Sequence, residues 1–392
     1  MKLGMVLLCA AYVLSQFFRA FLAVLTNALE RDVGATPDDL AFASGMWFLV
    51  FALMQLPIGE ALDRVGPRRT AAILLALGGG GGAAIFALAT TPVHISVAMA
   101  LIGVGCSPVL MASYYIFARM FPPAMFATLG AAMIGVGSIG NLASAAPLAW
   151  AIEAFGWRES LWALSAISVL VAVGVWAVVQ DPPRAEGAEG GSVLAVLKIP
   201  ALWLILPLLA VNYAPAAGLR GLWVGPYLSD VYGATAQVIG TATLIMGLVM
   251  VVAVFVYGPL DRLFGTRKWV VVGGNTAGIV ACGILALTPE PGYWPSVILC
   301  AAIAMFGLSY PVIMAHGRSF LPPHLTGRGV TLMNLFSIGG VGLFQVITGR
   351  LYSAAAATTE SAVAPYQLLF GFFAAILALG MIPYLFSRDR LD

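Results

Sequence analysis

Charge is what this chain has least of. Only 9% of its 392 residues are Asp, Glu, Lys or Arg, while 61% are hydrophobic; soluble domains carry about a quarter charged residues. That shortage excludes an ordinary water-soluble domain and marks a polytopic membrane protein. Acid is absent from depth as well. All seventeen carboxylates fall in loops or at helix ends, so none is placed at mid-bilayer to titrate, and ordinary proton-coupled export is disfavoured. The four cysteines (Cys9, Cys106, Cys282, Cys300) lie inside apolar runs without Cys-x-x-Cys or metal-ligand spacing and read as small core residues. His94, His316 and His324 form no cluster. No nucleophile–base pair is present, and no glycine loop stands in the strand and Lys-Ser/Thr context of a nucleotide site, so the enzyme class is excluded and no cofactor is implied. A net charge of +2, spread over loops without an aromatic-lined patch, excludes nucleic acid.

What the chain has in quantity is apolar runs of about 20 residues, the length that crosses a hydrocarbon core. Twelve spans are expected, near 4–28, 39–58, 70–89, 95–118, 125–150, 159–179, 200–227, 236–257, 269–288, 295–317, 329–350 and 365–386. The one hydrophilic stretch, around Asp181–Ser192, reads as a connector. It divides the chain into six-span bundles at 1–180 and 199–392, joined by a linker at 181–198. With both termini on the cytoplasmic side of a bacterial inner membrane, that side carries fourteen of the nineteen bases and the outside only Arg31, Arg158 and Arg350. The excess of bases on one side sets this orientation. Lys2 precedes a run too long for a signal peptide, so a retained first span is expected.

The halves repeat. Asp32-Val-Gly34-Ala-Thr36 answers Asp230-Val-Tyr-Gly233-Ala-Thr235, Pro108-Val-Leu-Met-Ala112 answers Pro311-Val-Ile-Met-Ala315, and Ser138-Ile-Gly140 answers Ser337-Ile-Gly339. Order and membrane side are kept, as in a parallel repeat about an axis along the membrane normal, which places a cavity between the halves near the midplane. The most telling pair is a loop that occurs twice. Gly59-Glu-Ala-Leu-Asp63-Arg64-Val-Gly66-Pro-Arg68-Arg69 follows the second span, and the degenerate Gly258-Pro-Leu-Asp261-Arg262-Leu-Phe-Gly265-Thr-Arg267-Lys268 follows the eighth. The glycine permits a tight reversal, and the acid is placed to pair with a base across the loop.

The first copy resembles, at every motif position, the loop Gly-x-x-x-Asp-Arg-x-Gly-x-Arg-Arg between helices 2 and 3 of the major facilitator superfamily. The second lies where that family repeats it. The resemblance implies an all-α fold of twelve transmembrane helices in two six-helix bundles, and alternating access about a central cavity. Gly59, Asp63, Arg64, Gly66, Arg68, Asp261, Arg262 and Arg267 would then hold the cytoplasmic side shut in the outward-facing state. The motif says almost nothing about cargo.

Cargo is read from two deep bases. Arg19 lies about 13 Å of helix from the outer end of the first span, too far to snorkel easily, and Arg220 lies nearer the outer end of the seventh. A buried guanidinium costs about 2.5–3.5 kcal/mol on insertion scales. Without a buried acid at that depth, the expected counter-charge is an anionic substrate held in a bidentate fork. The pair is similar to the cavity arginines of the superfamily's organophosphate/phosphate antiporters. One departure stands: the repeat maps Arg19 onto Gly218, and two positions turn a helix by about 200°, so convergence requires the seventh span to break near Asn212–Gly218.

Gln16, Asn141, Tyr213, Asn334 and Gln345 complete the candidate site, while Asn27, Gln55, Asn212 and Asn275 read equally as glue between helices. Tyr114 and Tyr115 suit an interfacial aromatic belt better than a gate. Met246-Gly-Leu-Val-Met250 offers two thioethers one turn apart for Cu(I), although the His-x-x-x-Met found beside such a pair in the superfamily's copper importers is absent and methionines at this spacing are more often core. The leading expectation is a monomeric secondary transporter of a small organic or phosphorylated anion. The alternatives are a carrier of a neutral or apolar compound with structural arginines, a Cu(I) importer, and a non-transporting receptor or assembly factor.

Overall fold

The computed structural model describes residues 2–121, 123–182, 193–322 and 325–391. Every regular element among them is helical. The chain divides into two compact units, Met1–Ala188 and Glu189–Asp392. The linker expected at 181–198 falls mostly on residues 183–192, which lie outside the described residues, as does His324.

Ten helices are long and apolar enough to cross a membrane, and the pair Ala132–Ala143 and Ala146–Phe155, bent by 41°, makes an eleventh span. The twelfth is the first in sequence, and it is not a continuous helix. It runs as an α-helix over Lys2–Phe17, unwinds, tightens into a 3-10 turn over Phe21–Val24, and resumes over Thr26–Val33. The spans expected near 4–28 and 125–150 are present but broken. Neither break follows from apolar periodicity. The first contains no Gly or Pro; Phe17 and Phe21 instead stack around it while Phe18 meets both edge-on, with centroids 5.6–6.1 Å apart, and Phe21 reaches Phe86 at 5.4 Å. The fifth bends where Pro147 enters the first turn of its second helix.

The expected break in the seventh span is present. Pro200–Asn212 ends at Tyr213, a short helix covers Ala214–Gly218, and a π-helical stretch covers Leu219–Trp223 before Val224–Tyr232. The fourth span is interrupted between Cys106 and Val109, and the tenth carries a 3-10 turn at Gly307–Ser309, just ahead of the repeated Pro108 and Pro311.

Repeat-related spans also cross in the same way. A Cβ at Gly140 would meet the Val13 backbone, with the carbonyl carbon at 2.8 Å; one at Gly340 would meet the Ala210 backbone, also at 2.8 Å. Spans 1 and 5 of the first unit, and 7 and 11 of the second, therefore touch backbone to backbone, a spacing that only glycine permits.

The loop-bearing end of each unit is closed by an acid that follows its last span. Asp181 accepts from the Arg68 amide at 2.8 Å and lies 3.6 Å from the Arg68 guanidinium. A Cβ at Gly66, where φ is +101°, would sit 2.9 Å from the Asp181 carboxyl carbon, so backbone conformation and space both require glycine there. In the second unit Asp389 takes bonds from the Thr266 hydroxyl and the amides of Arg267 and Lys268. Each acid thus satisfies donors at the start of its unit's third helix.

Candidate functional site

In the first unit the unwound stretch holds Arg19. Its guanidinium carbon lies 5.3 Å from the Trp47 ring centroid and 5.5 Å from that of Phe51. Those rings stack at 5.0 Å with an interplanar angle of 17°, a cation–π arrangement. Arg19 is half-buried. Its Nε has no hydrogen-bond partner, and among the described residues no carboxylate forms an ion pair with it. Gln16, one turn earlier, donates from Nε2 to the Tyr12 hydroxyl at 2.8 Å and leaves its carbonyl oxygen unpartnered. Asn141 is half-buried, next to the Gly140 crossing. Gln55 donates to the carbonyls of Phe51 and Ser107; it ties spans 2 and 4 together.

In the second unit Arg220 lies within the π-helical stretch and is 4% exposed. π-helical turns widen the backbone ladder and occur often at functional sites. Because neither arginine sits on a regular α-helix, the 200° argument against their equivalence loses its premise. Gln345 is buried, its side-chain oxygen is the nearest atom to the Cβ position of Gly218, and its Nε2 has no partner. Tyr213 packs on Tyr310 at 6.1 Å, and the Tyr310 hydroxyl donates to Asn334 at 2.9 Å. Those three form one half-buried cluster, of which Tyr310 was not marked from sequence. Asn212 and Asn275 are glue: Asn212 Nδ2 donates to Asn275 Oδ1 at 2.8 Å and to Ser309 at 2.9 Å. Met246 is wholly buried and Met250 half-buried.

The paired loops differ in wiring. Asp63 does not pair across its own loop: it accepts from the Tyr115 hydroxyl at 2.8 Å and lies 3.6 Å from Arg119, both on span 4. Arg119 itself donates to Tyr115. This places Tyr115 in the loop network, a correction to the belt reading. Arg64 pairs with Glu60 at 2.8 Å on its own helix, and both are exposed. In the degenerate copy Asp261 does pair across the loop, with Arg267 at 3.1 Å and with both side chains mostly buried. Arg262 is exposed. Sequence could not choose between these pairings because both copies offer an acid and several bases within ten residues.

Two six-span helical units, broken spans holding a deep base in each, and a basic loop repeated at the same place define a polytopic membrane carrier. The chain belongs to the Major Facilitator Superfamily, whose sequence model matches residues 8–223 and 216–392, and it is a transporter rather than an enzyme. It is 21% identical over 412 residues to the uncharacterized transporter YybO of Bacillus subtilis (strain 168), covering 95% of this chain and 93% of that one. Its fold is similar to a bacterial homologue of the human lysosomal transporter Spinster (TM-score 0.77, 19% identity, 98% and 96% of the two chains). It is also similar to the nucleoside transporter NupG (TM-score 0.77, 13% identity, 98% of each chain). The D-xylose-proton symporter is a third such structure (TM-score 0.75, 15% identity, 98% and 97%). At these identities the likeness establishes fold and not cargo.

Proposed function

We propose that the chain moves a small organic or phosphorylated anion across a bacterial inner membrane by alternating access, as a monomer with both termini in the cytoplasm. The observation that carries this reading is Arg19: a guanidinium on an unwound stretch of a membrane span, with no carboxylate ion-paired to it and with Nε buried and unpartnered. A charge at that depth is costly unless paired, and a substrate anion supplies the missing partner. Gln16 and Asn141 of the first unit and Arg220, Gln345, Tyr213 and Asn334 of the second are the further residues proposed to take part in binding. The loop networks around Asp63 and Asp261 would latch the cytoplasmic side.

The test is counterflow in proteoliposomes with a panel of radiolabelled carboxylates and phosphate esters, wild type against Arg19→Lys. The lysine keeps the charge and loses the planar fork, so uptake of the true substrate should fall at least tenfold with thermal stability retained. Wild-type transport by the variant would remove Arg19 from the site. One observation supports a second reading, in which the cargo is neutral: the rings of Trp47 and Phe51 already give Arg19 a structural partner. On that reading Arg19→Lys lowers stability, and no member of the anion panel is carried.

A further inference from the structure

Three side-chain atoms around the broken first span are buried without a hydrogen-bond partner: Arg19 Nε, the Trp47 indole Nε1 and the Gln16 carbonyl Oε1. Trp47 is 0% exposed and Gln16 8%. The Arg19 guanidinium lies over the Trp47 ring, and Gln16 stands three residues before Arg19 in the last turn of the helix that ends at Phe17. Gln16 gives one amide hydrogen to Tyr12, and its unpartnered atom, Oε1, is an acceptor. Arg19 and Trp47 offer donors. A buried donor or acceptor left without a partner costs about 1–3 kcal/mol, and the three together call for a ligand that offers two acceptors and one donor.

Resting on the anion reading above, we infer that the first unit is built for a carboxylate that carries a hydrogen-bond donor next to it, as a 2-hydroxycarboxylate does. The two carboxylate oxygens take the Arg19 Nε–H and the Trp47 indole N–H, and the neighbouring hydroxyl donates to Gln16 Oε1. Charge favours carboxylate over phosphate at this position. Among the described residues of the unit, Arg19 is the one cation away from a span end, and by itself it balances a single negative charge; a phosphate monoester brings about −1.5 to −2. The aromatic pair Trp47 and Phe51 fixes the plane of the cation.

The experiment uses the purified full chain and pairs of probes that differ only in a 2-hydroxyl: propionate with lactate, and 3-phenylpropionate with 3-phenyllactate. Lactamide serves as the uncharged control, with inorganic phosphate and glycerol 3-phosphate as the phosphorylated ones. Affinities come from thermal shift and from inhibition of counterflow. The hydroxy acid of at least one pair should bind about tenfold tighter than its partner, and lactamide and the phosphates should bind weakly. Trp47→Phe keeps an aromatic ring at that position and removes the N–H, so it should weaken hydroxy-acid binding about tenfold; the lost indole volume also lowers the melting temperature, so affinity is read well below it. Gln16→Met should erase the preference within each pair while leaving the unsubstituted acid's affinity in place; should Trp47→Phe fail to fold, this variant decides. Equal affinity within both pairs, or a preference that survives Gln16→Met, overturns the inference. Arg19-dependent binding of phosphates alone overturns it while leaving the anion reading intact, and no response to any anion removes both.

Discussion

Gly140→Ala puts one methyl group where spans 1 and 5 touch. The new Cβ would lie 2.8 Å from the Val13 carbonyl carbon and 3.0 Å from the Phe17 amide nitrogen, and closer still to the Val13 oxygen. Ordinary carbon contacts lie at about 3.5–4.0 Å, so the spans must part by about 1 Å. Every opposing atom is backbone, which rules out relief by a rotamer change. Overpacking of this kind costs about 1–3 kcal/mol, and the absence of a flexible neighbour places it near 3. For a unit of this size each kcal/mol lowers the melting temperature by about 2–4 °C, giving a fall of about 6–12 °C. The displaced segment also ends at Phe17, directly before the unwound stretch that holds Arg19, so uptake should fall further than stability alone requires. Gly135 supplies the control: a Cβ there meets nothing within 4 Å, and in a helix interior Ala is favoured over Gly by about 1 kcal/mol. The assay is thermal unfolding in detergent beside proteoliposome uptake for both variants. A Gly140→Ala protein melting within 1 °C of wild type would refute the backbone-contact argument, and Gly340→Ala repeats the test in the second unit.

Asn212→Leu removes the donor shared by Asn275 and Ser309; a loss of about 1–2 kcal/mol is expected, read as a lower denaturation midpoint, and a more stable variant would show the network to be dispensable. At the opposite end, the bond from Arg31 and then that from the Trp157 indole hold the Asp32 carboxyl below the usual carboxylate range. A lowered folded pKa contributes stability above the unfolded value of about 3.9 that is lost as pH falls through the folded one. The melting-temperature gap between wild type and Trp157→Phe should therefore narrow between pH 6 and pH 3, and a gap independent of pH would place the indole's contribution in packing instead. Burial alone would raise the Asp389 carboxyl, but the Thr266 hydroxyl and the amides of Lys268 and Arg267 outweigh it and hold it low. The same sign applies: protection from hydrogen exchange in residues 385–391, taken relative to the intrinsic rate at each pH, should fall below about pH 4, and unchanged protection would mean that the tail is held by its other bonds. Asp63→Asn weakens the charge facing Arg119 and should shift cysteine-accessibility labelling toward the inward-open pattern; identical labelling from both sides would end the latch assignment.

The twelve apolar runs, the repeat and the paired basic loops were legible because each follows from composition and order alone: lipid demands length, loops demand charge, and a tight reversal demands glycine at Gly66. The break in the seventh span was legible for the same reason, since Pro215 cannot continue the ladder. The break in the first span was not. Phe17-Phe18-Arg19-Ala20-Phe21 contains no residue that forbids a helix, and it unwinds because ring packing against Phe86 favours the turn, an effect that exists only after the spans have assembled. Arg19 and Arg220 could be singled out as charges in the wrong solvent, but their neighbours could not. Trp47 stands 28 residues from Arg19 in an unremarkable apolar run, and Asp63 had several bases within reach. Which ring lies under a cation, and which base answers an acid, depends on how neighbouring spans are rotated and staggered against one another. Local sequence determines that a span exists and where its charges fall along it; only the packed unit determines what each charge faces.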